Sequence, residues 1–185
     1  MNRFLIAAAL LATAVPQAQA ARSWTVDPAQ STLGFSATMA GAGFEGRFER
    51  WTADIAFDPA DLAGSSVKVA IDMTSAVTGD PSRDQSLPNA DWFDTSNFPQ
   101  AVFEAHSFAD KGGGAYEAQG TLTIRGASKP LALPFTLSIA DDMAKATGAV
   151  TLMRTDYGVG QGQWALPDPV AHDVKVTFAI TAQGQ

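Results

Sequence analysis

The stretch Gly120-Thr-Leu-Thr-Ile-Arg-Gly-Ala-Ser-Lys-Pro-Leu-Ala-Leu-Pro-Phe135 decides the fold class. Leu122 and Ile124 alternate with Thr121 and Thr123. After a turn at Arg125-Gly126-Ala127-Ser128, Leu131, Leu133, Phe135 and Leu137 alternate with Ala132, Pro134, Thr136 and Ser138. Two period-2 runs joined by a short glycine-containing turn specify a β-hairpin with one apolar face. Pro130 and Pro134 have no N–H to give a ladder, so the second strand is expected at an edge or with a bulge.

The same period extends outward along the chain. Leu33, Phe35, Ala37 and Met39 share one face, as do Val67, Val69, Ile71 and Met73, and Val174, Val176, Phe178 and Ile180. Trp51–Phe57, carrying Ile55 and Phe57, reads as a strand, as do Val102–Phe108, Tyr116–Ile124 and Ala144–Met153. Eight or nine short strands with turns between them describe an all-β antiparallel barrel or sandwich. Two stretches interrupt the rhythm. Asp80-Pro81 supplies an N-cap and a first-turn proline for a short helix over Ser82–Leu87, which Pro88 ends. Asn89 is expected to cap a second turn through Asp91-Trp92-Phe93. Arg154–Pro169, rich in glycine and proline, has no period and has the length of a lid or rim.

Residues 1–20 read as a secretory signal peptide: Arg3, an apolar run from Phe4 to Val15, and the cleavage site Ala18-Gln19-Ala20. One domain, 21–185, is expected to follow, with a periplasmic location. The sequence has no cysteine, which removes disulfides, thiol catalysis and a lipidated N-terminal cysteine. Nineteen acidic residues face twelve basic ones, eleven without Arg3. That balance argues against a nucleic-acid partner and against a polybasic grip on anionic lipid. No later segment has the length and hydropathy of a membrane-spanning helix, so stable membrane insertion is not expected.

Motifs for catalysis are sparse. No Gly-x-Ser-x-Gly, HExxH or phosphate-cradling loop occurs. His106 lies in a strand and is read as a surface or satisfied histidine. His172-Asp173 gives two adjacent ligand types, too few for a metal site. The charged residues Arg83, Asp84, Asp91, Asp94, Arg154 and Asp156 fall in the two irregular stretches. Two roles stay open for Arg83/Asp84 and Arg154/Asp156: pairing with a loop aspartate to pin the stretches to the barrel, or meeting a polar ligand headgroup.

Several further motifs recur in order: Trp24-Thr-Val-Asp27 with Ser31 and Phe35, Gly46-Arg-Phe48, Asp72 to Ser75 ahead of Thr78-Gly79, Arg83-Asp84 with Leu87, and Phe93-Asp94 with Phe98-Pro99. Gly120-x-Leu-Thr-Ile-x-Gly-x-x-Lys-Pro130 and Arg154-x-Asp-x-Gly158 complete the set. In this order and spacing the chain resembles the YceI-like family of exported bacterial proteins; Tyr157 stands where the family has Phe or Trp. The resemblance implies a lipocalin-like, extended antiparallel β-barrel of about eight strands whose apolar lumen holds a polyisoprenoid chain, as a quinone tail or polyprenyl lipid. No other cofactor is implied, and a membrane electron-transport or lipid-synthesis system is the implied partner. The lumen residues expected are Phe35, Ile55, Phe57, Val67, Val69, Ile71, Leu122, Ile124, Leu131, Leu133, Phe135, Leu137, Val176 and Phe178. Two other classes compete: an enzyme acting on an isoprenoid or quinone headgroup, and a stress-response interaction module with a filled core.

If the leader is read correctly, the exported protein begins at Ala21. Intact-mass measurement of the exported fraction tests this, and a retained Met1 contradicts it.

Overall fold

The computed structural model describes residues 21–185; the expected leader, Met1–Ala20, lies outside them. The strands are β1 Ser23–Val26, β2 Thr32–Met39, β3 Ala42–Phe48, β4 Trp51–Ala56, β5 Ser66–Asp72, β6 Ala76–Val77, β7 Gln100–Gly112, β8 Ala115–Ile124, β9 Ala127–Ala140, β10 Met143–Met153 and β11 Asp173–Gly184. Three pairs act as single bent staves. β1 and β2 are separated by the turn at 27–31, β3 and β4 by Glu49-Arg50, and β5 and β6 by a 3₁₀ turn at Met73–Ser75. The result is eight antiparallel staves in chain order, a closed meander barrel. β11 closes it by pairing with β2 through Lys175–Ala179 and with β1 through Ala182–Gly184.

Two-residue turns set the register of the hairpins. Arg125 and Gly126 have φ of 50° and 74°, the paired positive values of a turn whose twist matches the strands it joins. The expected four-residue turn is therefore shorter, and β9 starts at Ala127. Its register against β8 is unbroken from Ala127 to Thr136, so β9 carries no bulge there. The edge expectation holds for half the strand. β9 pairs with β10 only over Phe135–Ala140, which leaves Pro130 and Pro134 without a ladder partner on that side. The two prolines share one parity, so both imide nitrogens can face the gap.

A bulge matters in β7. Its register against β8 shifts between Ala105 and Ser107, and one extra residue reverses the facing. Ala101, Phe103 and Ala105 face inward before it, and Phe108 faces inward after it, which simple alternation does not foresee. Cross-strand registry builds inward layers. Ile55, Val67, Ala105, Gly120 and Leu131 form one; Ala53, Val69, Phe103 and Leu122 form the next. Lys68, Glu104 and Gln119 are exposed on the opposite parity, and Lys68 pairs with Glu104 at 2.9 Å across β5 and β7. Apolar inside and polar outside is the reverse of a membrane-spanning barrel, which needs an apolar outer band.

Near the turns β7–β8 and β9–β10 clustered aromatic rings narrow the interior. Phe57 packs edge-on against Phe108, Tyr116 and Phe135, with ring centroids 5.3, 5.5 and 5.9 Å away. The indole N–H of Trp24 donates to the Phe57 carbonyl at 2.9 Å and fastens β1 to this cluster. At the other end, Pro81–Ser86 forms the expected short helix α1, and the Asp80 carboxylate accepts from the N–H groups of Ser82 and Arg83. The second turn expected after it forms over 90–93, but the Asn89 side chain does not cap it. Asn89 contributes its backbone carbonyl, to Trp92 and Asp94, because Pro88 has no N–H and Asp94 turns to φ 51°.

Buried and half-buried wall positions should respond differently to truncation. Phe57→Ala should cost about 3–5 kcal/mol, whereas Leu133→Ala, at a half-buried wall position, should cost less than about 2 kcal/mol. Urea unfolding of lipid-free protein measures both, and equal costs would contradict the distinction.

Candidate functional site

The side chains that alternation sends inward do not close on one another. Among the described residues the most enclosed large apolar side chain, Met73, still keeps 3% of its surface. A cavity of about 400 Å³ runs inside the barrel, lined from Ile139 and Ala144 near the β9–β10 turn to Leu87 and Trp164 at the other end. Its volume falls within the range of ordinary small-molecule pockets.

All the residues expected to face a lumen border this cavity: Phe35, Ile55, Phe57, Val67, Val69, Ile71, Leu122, Ile124, Leu131, Leu133, Phe135, Leu137, Val176 and Phe178. Phe35, Phe57 and Leu122 are buried, and the others are half-buried because one side of each faces the open axis. Two aromatic rings lie over glycines of the neighbouring strand instead of across the lumen. A Cβ on Gly46 would collide with the ring of Phe35, and one on Gly148 with the ring of Phe178. Those glycines let the rings lie on the wall, and this keeps the axis clear.

Sequence reading missed part of the wall. Phe44 and Phe48 lie in β3, where glycines dilute the apolar alternation, and Phe48 packs 5.3 Å from Phe35 and 6.3 Å from Phe93. Trp51, Phe103, Val150 and Leu152 share the parity of assigned neighbours and were legible by extending it. Trp92 and Trp164, from the two irregular stretches, meet with centroids 5.5 Å apart at the upper end.

The polar candidates separate into different roles. Arg154 is 4% exposed and, among the described residues, pairs with no carboxylate. Its Nε donates to Ala171 O, Nη1 to Val159 O and Gly160 O, and Nη2 to Trp164 O, Leu166 O and Val170 O, at 2.7–3.3 Å. Burial pushes its pKa below the ordinary guanidinium value, yet an arginine so placed stays charged. The stretch 154–170 is therefore wound around one cation as two 3₁₀ turns, Arg154–Tyr157 and Gly162–Trp164. Asp156 is exposed and does not pair with Arg154; its effect is to help burial raise the Tyr157 phenol pKa. The expected pairing of Arg154 with a loop aspartate is thus corrected: carbonyl oxygens, which point into the loop, replace the carboxylate.

Arg83 does pair with an aspartate of its stretch, Asp80, at 3.7 Å, and a second such pair involves Arg125, from the β8–β9 turn. Its Nη2 lies 3.9 Å from Asp94, and its Nη1 donates to Trp92 O and Gly158 O. The two irregular stretches also join through backbone bonds from Gly160 and Gln161 to Asp91 O. Asp84 accepts from the N–H and the hydroxyl of Thr78, both at 2.7 Å, and so ties α1 to the end of β6. Arg83 lies over the ring of Phe44, 4.5 Å from its centroid, and borders the cavity with Thr78, Ser82 and Ser86. His106 is exposed, and His172 bonds the Ala165 carbonyl at 2.9 Å. Among the described residues no three His, Cys, Asp or Glu side chains converge as a metal site.

Known proteins share this architecture. The sequence matches the YceI-like domain family over residues 24–182. It is 32% identical over 137 residues to a UPF0312 protein of Vibrio cholerae serotype O1, covering 72% of each chain. It is 31% identical over 164 residues to a UPF0312 protein of Shewanella baltica, covering 84% of each. The crystal structure of Burkholderia cenocepacia BcnA superposes with a TM-score of 0.82 at 31% identity, over 85% of this chain and 99% of that one. A polyisoprenoid binding domain from Saccharophagus degradans superposes with a TM-score of 0.71 at 16% identity, over 90% and 100% of the two chains. At 16% that likeness carries the fold alone.

Arg154→Met leaves six carbonyls without their donor, and unmet buried acceptors cost about 1–3 kcal/mol each before relaxation. We expect a loss of at least about 3 kcal/mol, a fall in Tm of about 6–12 °C. Thermal unfolding measures it; unchanged stability with lost lipid retention would instead assign Arg154 to a headgroup.

Proposed function

The chain belongs to the YceI-like family, and from that premise we propose that it binds one polyisoprenoid chain, a quinone tail or polyprenyl lipid, in its barrel lumen. We further propose that it carries or stores that chain in the periplasm after export. The observation that carries the reading is the lining of the cavity. Along the staves it is apolar, and no carboxylate, imidazole or amine borders it among the described residues. A prenyl chain offers no hydrogen bonds along its length, so a dry apolar wall is the complement it needs.

The magnitudes support this. Each buried chain carbon contributes about 0.8 kcal/mol. A dozen such carbons contribute roughly 10 kcal/mol, comparable with the cost of association, on the order of 4–15 kcal/mol. A fully enclosed tail of several prenyl units therefore binds with no metal and no nucleophile. The likeness to a domain described as polyisoprenoid binding points the same way. An enzyme acting on the headgroup is the weaker reading, because Arg154 and Asp84 are already engaged in holding the loop and the helix.

Leu133 lies midway along β9 and faces the cavity. Leu133→Trp should displace ligand, not neighbours, and so cost less than the roughly 1–3 kcal/mol typical of overpacking a solid core. Across a series of polyprenols of increasing length, the variant should favour shorter chains than the parent. Strong destabilisation of the empty protein with an unchanged length preference would sink the lumen assignment at this position.

A further inference from the structure

The upper end of the cavity differs in chemistry from its walls. There Thr78, Ser82, Arg83 and Ser86 border an otherwise apolar space. Most acceptor groups among them are already used. Asp80 Oδ1 accepts from Ser82 N and Arg83 N, and Asp84 Oδ1 accepts twice from Thr78. The Ser86 hydroxyl donates to Ser82 O, and Thr78 Oγ1 accepts from Arg83 Nε at 3.2 Å. What the cavity meets is chiefly the Arg83 guanidinium, since Asp80 and Asp84 do not line it. Arg83 Nη1 has only the Asp80 carboxylate at 3.7 Å, beyond hydrogen-bond reach. Its side chain is 29% exposed, with the guanidinium held over Phe44. By contrast Arg154, the other arginine at the cavity, has every nitrogen committed.

Charge narrows the ligand further. Asp80 and Asp84 flank Arg83 on α1, so two carboxylates stand against one guanidinium. The Arg83 N–H, and then its charge, hold the Asp80 carboxyl below its ordinary pKa, so it is ionised at neutral pH. A phosphate placed on Arg83 would also meet this negative charge, whereas a carbonyl oxygen would not.

We infer that Arg83 is a headgroup-binding residue and that the head it takes is uncharged and accepts hydrogen bonds, as a quinone carbonyl does. This rests on the lumen reading above and deepens it. The tail fills the apolar length, and the head stops at α1, where the tunnel meets the Arg83 guanidinium. Arg83 thereby sets both which lipids are held and which way round they enter.

The test compares three probes with the same four-unit prenyl tail: a 1,4-benzoquinone, a monophosphate and the headless hydrocarbon. Binding to delipidated protein is measured by titration calorimetry. The wild-type protein should bind the quinone about tenfold more tightly than the hydrocarbon, the scale of a hydrogen bond to a charged group. Arg83→Met, which keeps a stem over Phe44, should erase that preference and leave hydrocarbon affinity unchanged. Arg83→Gln, which keeps an amide donor, should retain part of it. Equal affinity of the wild-type protein for quinone and hydrocarbon overturns the headgroup assignment and spares the lumen. A preference for the phosphate overturns the uncharged head. Failure of all three probes to bind overturns the lumen reading as well. The wild-type comparison stands even if a variant does not fold.

Discussion

Closure of the sheet through β11 is the constraint from which the rest follows. One strand bonds to β10 along its whole length and on its other edge to both β1 and β2. Once the ring is closed, every residue of inward parity must face the axis, whatever its size. An eight-stranded ring is just wide enough either to be filled by side chains or to hold one ligand. Residue choice decides between these. At the β7–β8 end four aromatic rings interlock across the axis. Along the staves the wall mixes Val, Ile, Leu and Ala with aromatic rings, of which Phe35 and Phe178 rest on glycines. The barrel is therefore narrowed by aromatic rings at one end and hollow along its length.

The open end is assembled by a second device. The two irregular stretches put Trp92, Phe93, Tyr157 and Val159 against the core, and the backbone polar groups buried with them need partners. Arg154 supplies them to six carbonyls of one stretch, and Arg125 supplies them to both stretches at once. A planar cation with five fixed N–H groups can organise a loop that has no periodicity of its own. Trp92 and Trp164 then meet above the lumen, and Arg154 lies 5.6 Å from the Trp92 ring centroid. With Arg154 consumed in this way, Arg83 is left as the cation facing the cavity.

Much of this was legible in the sequence, for a physical reason. In a barrel, side-chain parity is the fold, and β9 states it in plain alternation from Leu131 to Leu137. The helix α1 was equally legible, because Asp80-Pro81 and Pro88 act locally. The Arg154 carbonyl cage was not, since backbone oxygens carry no sequence signal. An arginine near aspartates suggests a salt bridge even where none forms. The β7 bulge was invisible because one added residue changes facing without changing composition. Pro130 and Pro134 did signal a missing ladder, but the gap lies between two staves inside a closed ring and covers only half of β9. Local sequence cannot tell that gap from a free edge.

The central claim is that the lumen is a lipid site and not a vacant core. Native mass spectrometry of the protein purified from its native host tests it most directly. The account predicts one intact isoprenoid lipid per protomer, released only on unfolding. A protomer of bare polypeptide mass under the same gentle conditions, with no isoprenoid in the solvent extract, would contradict it.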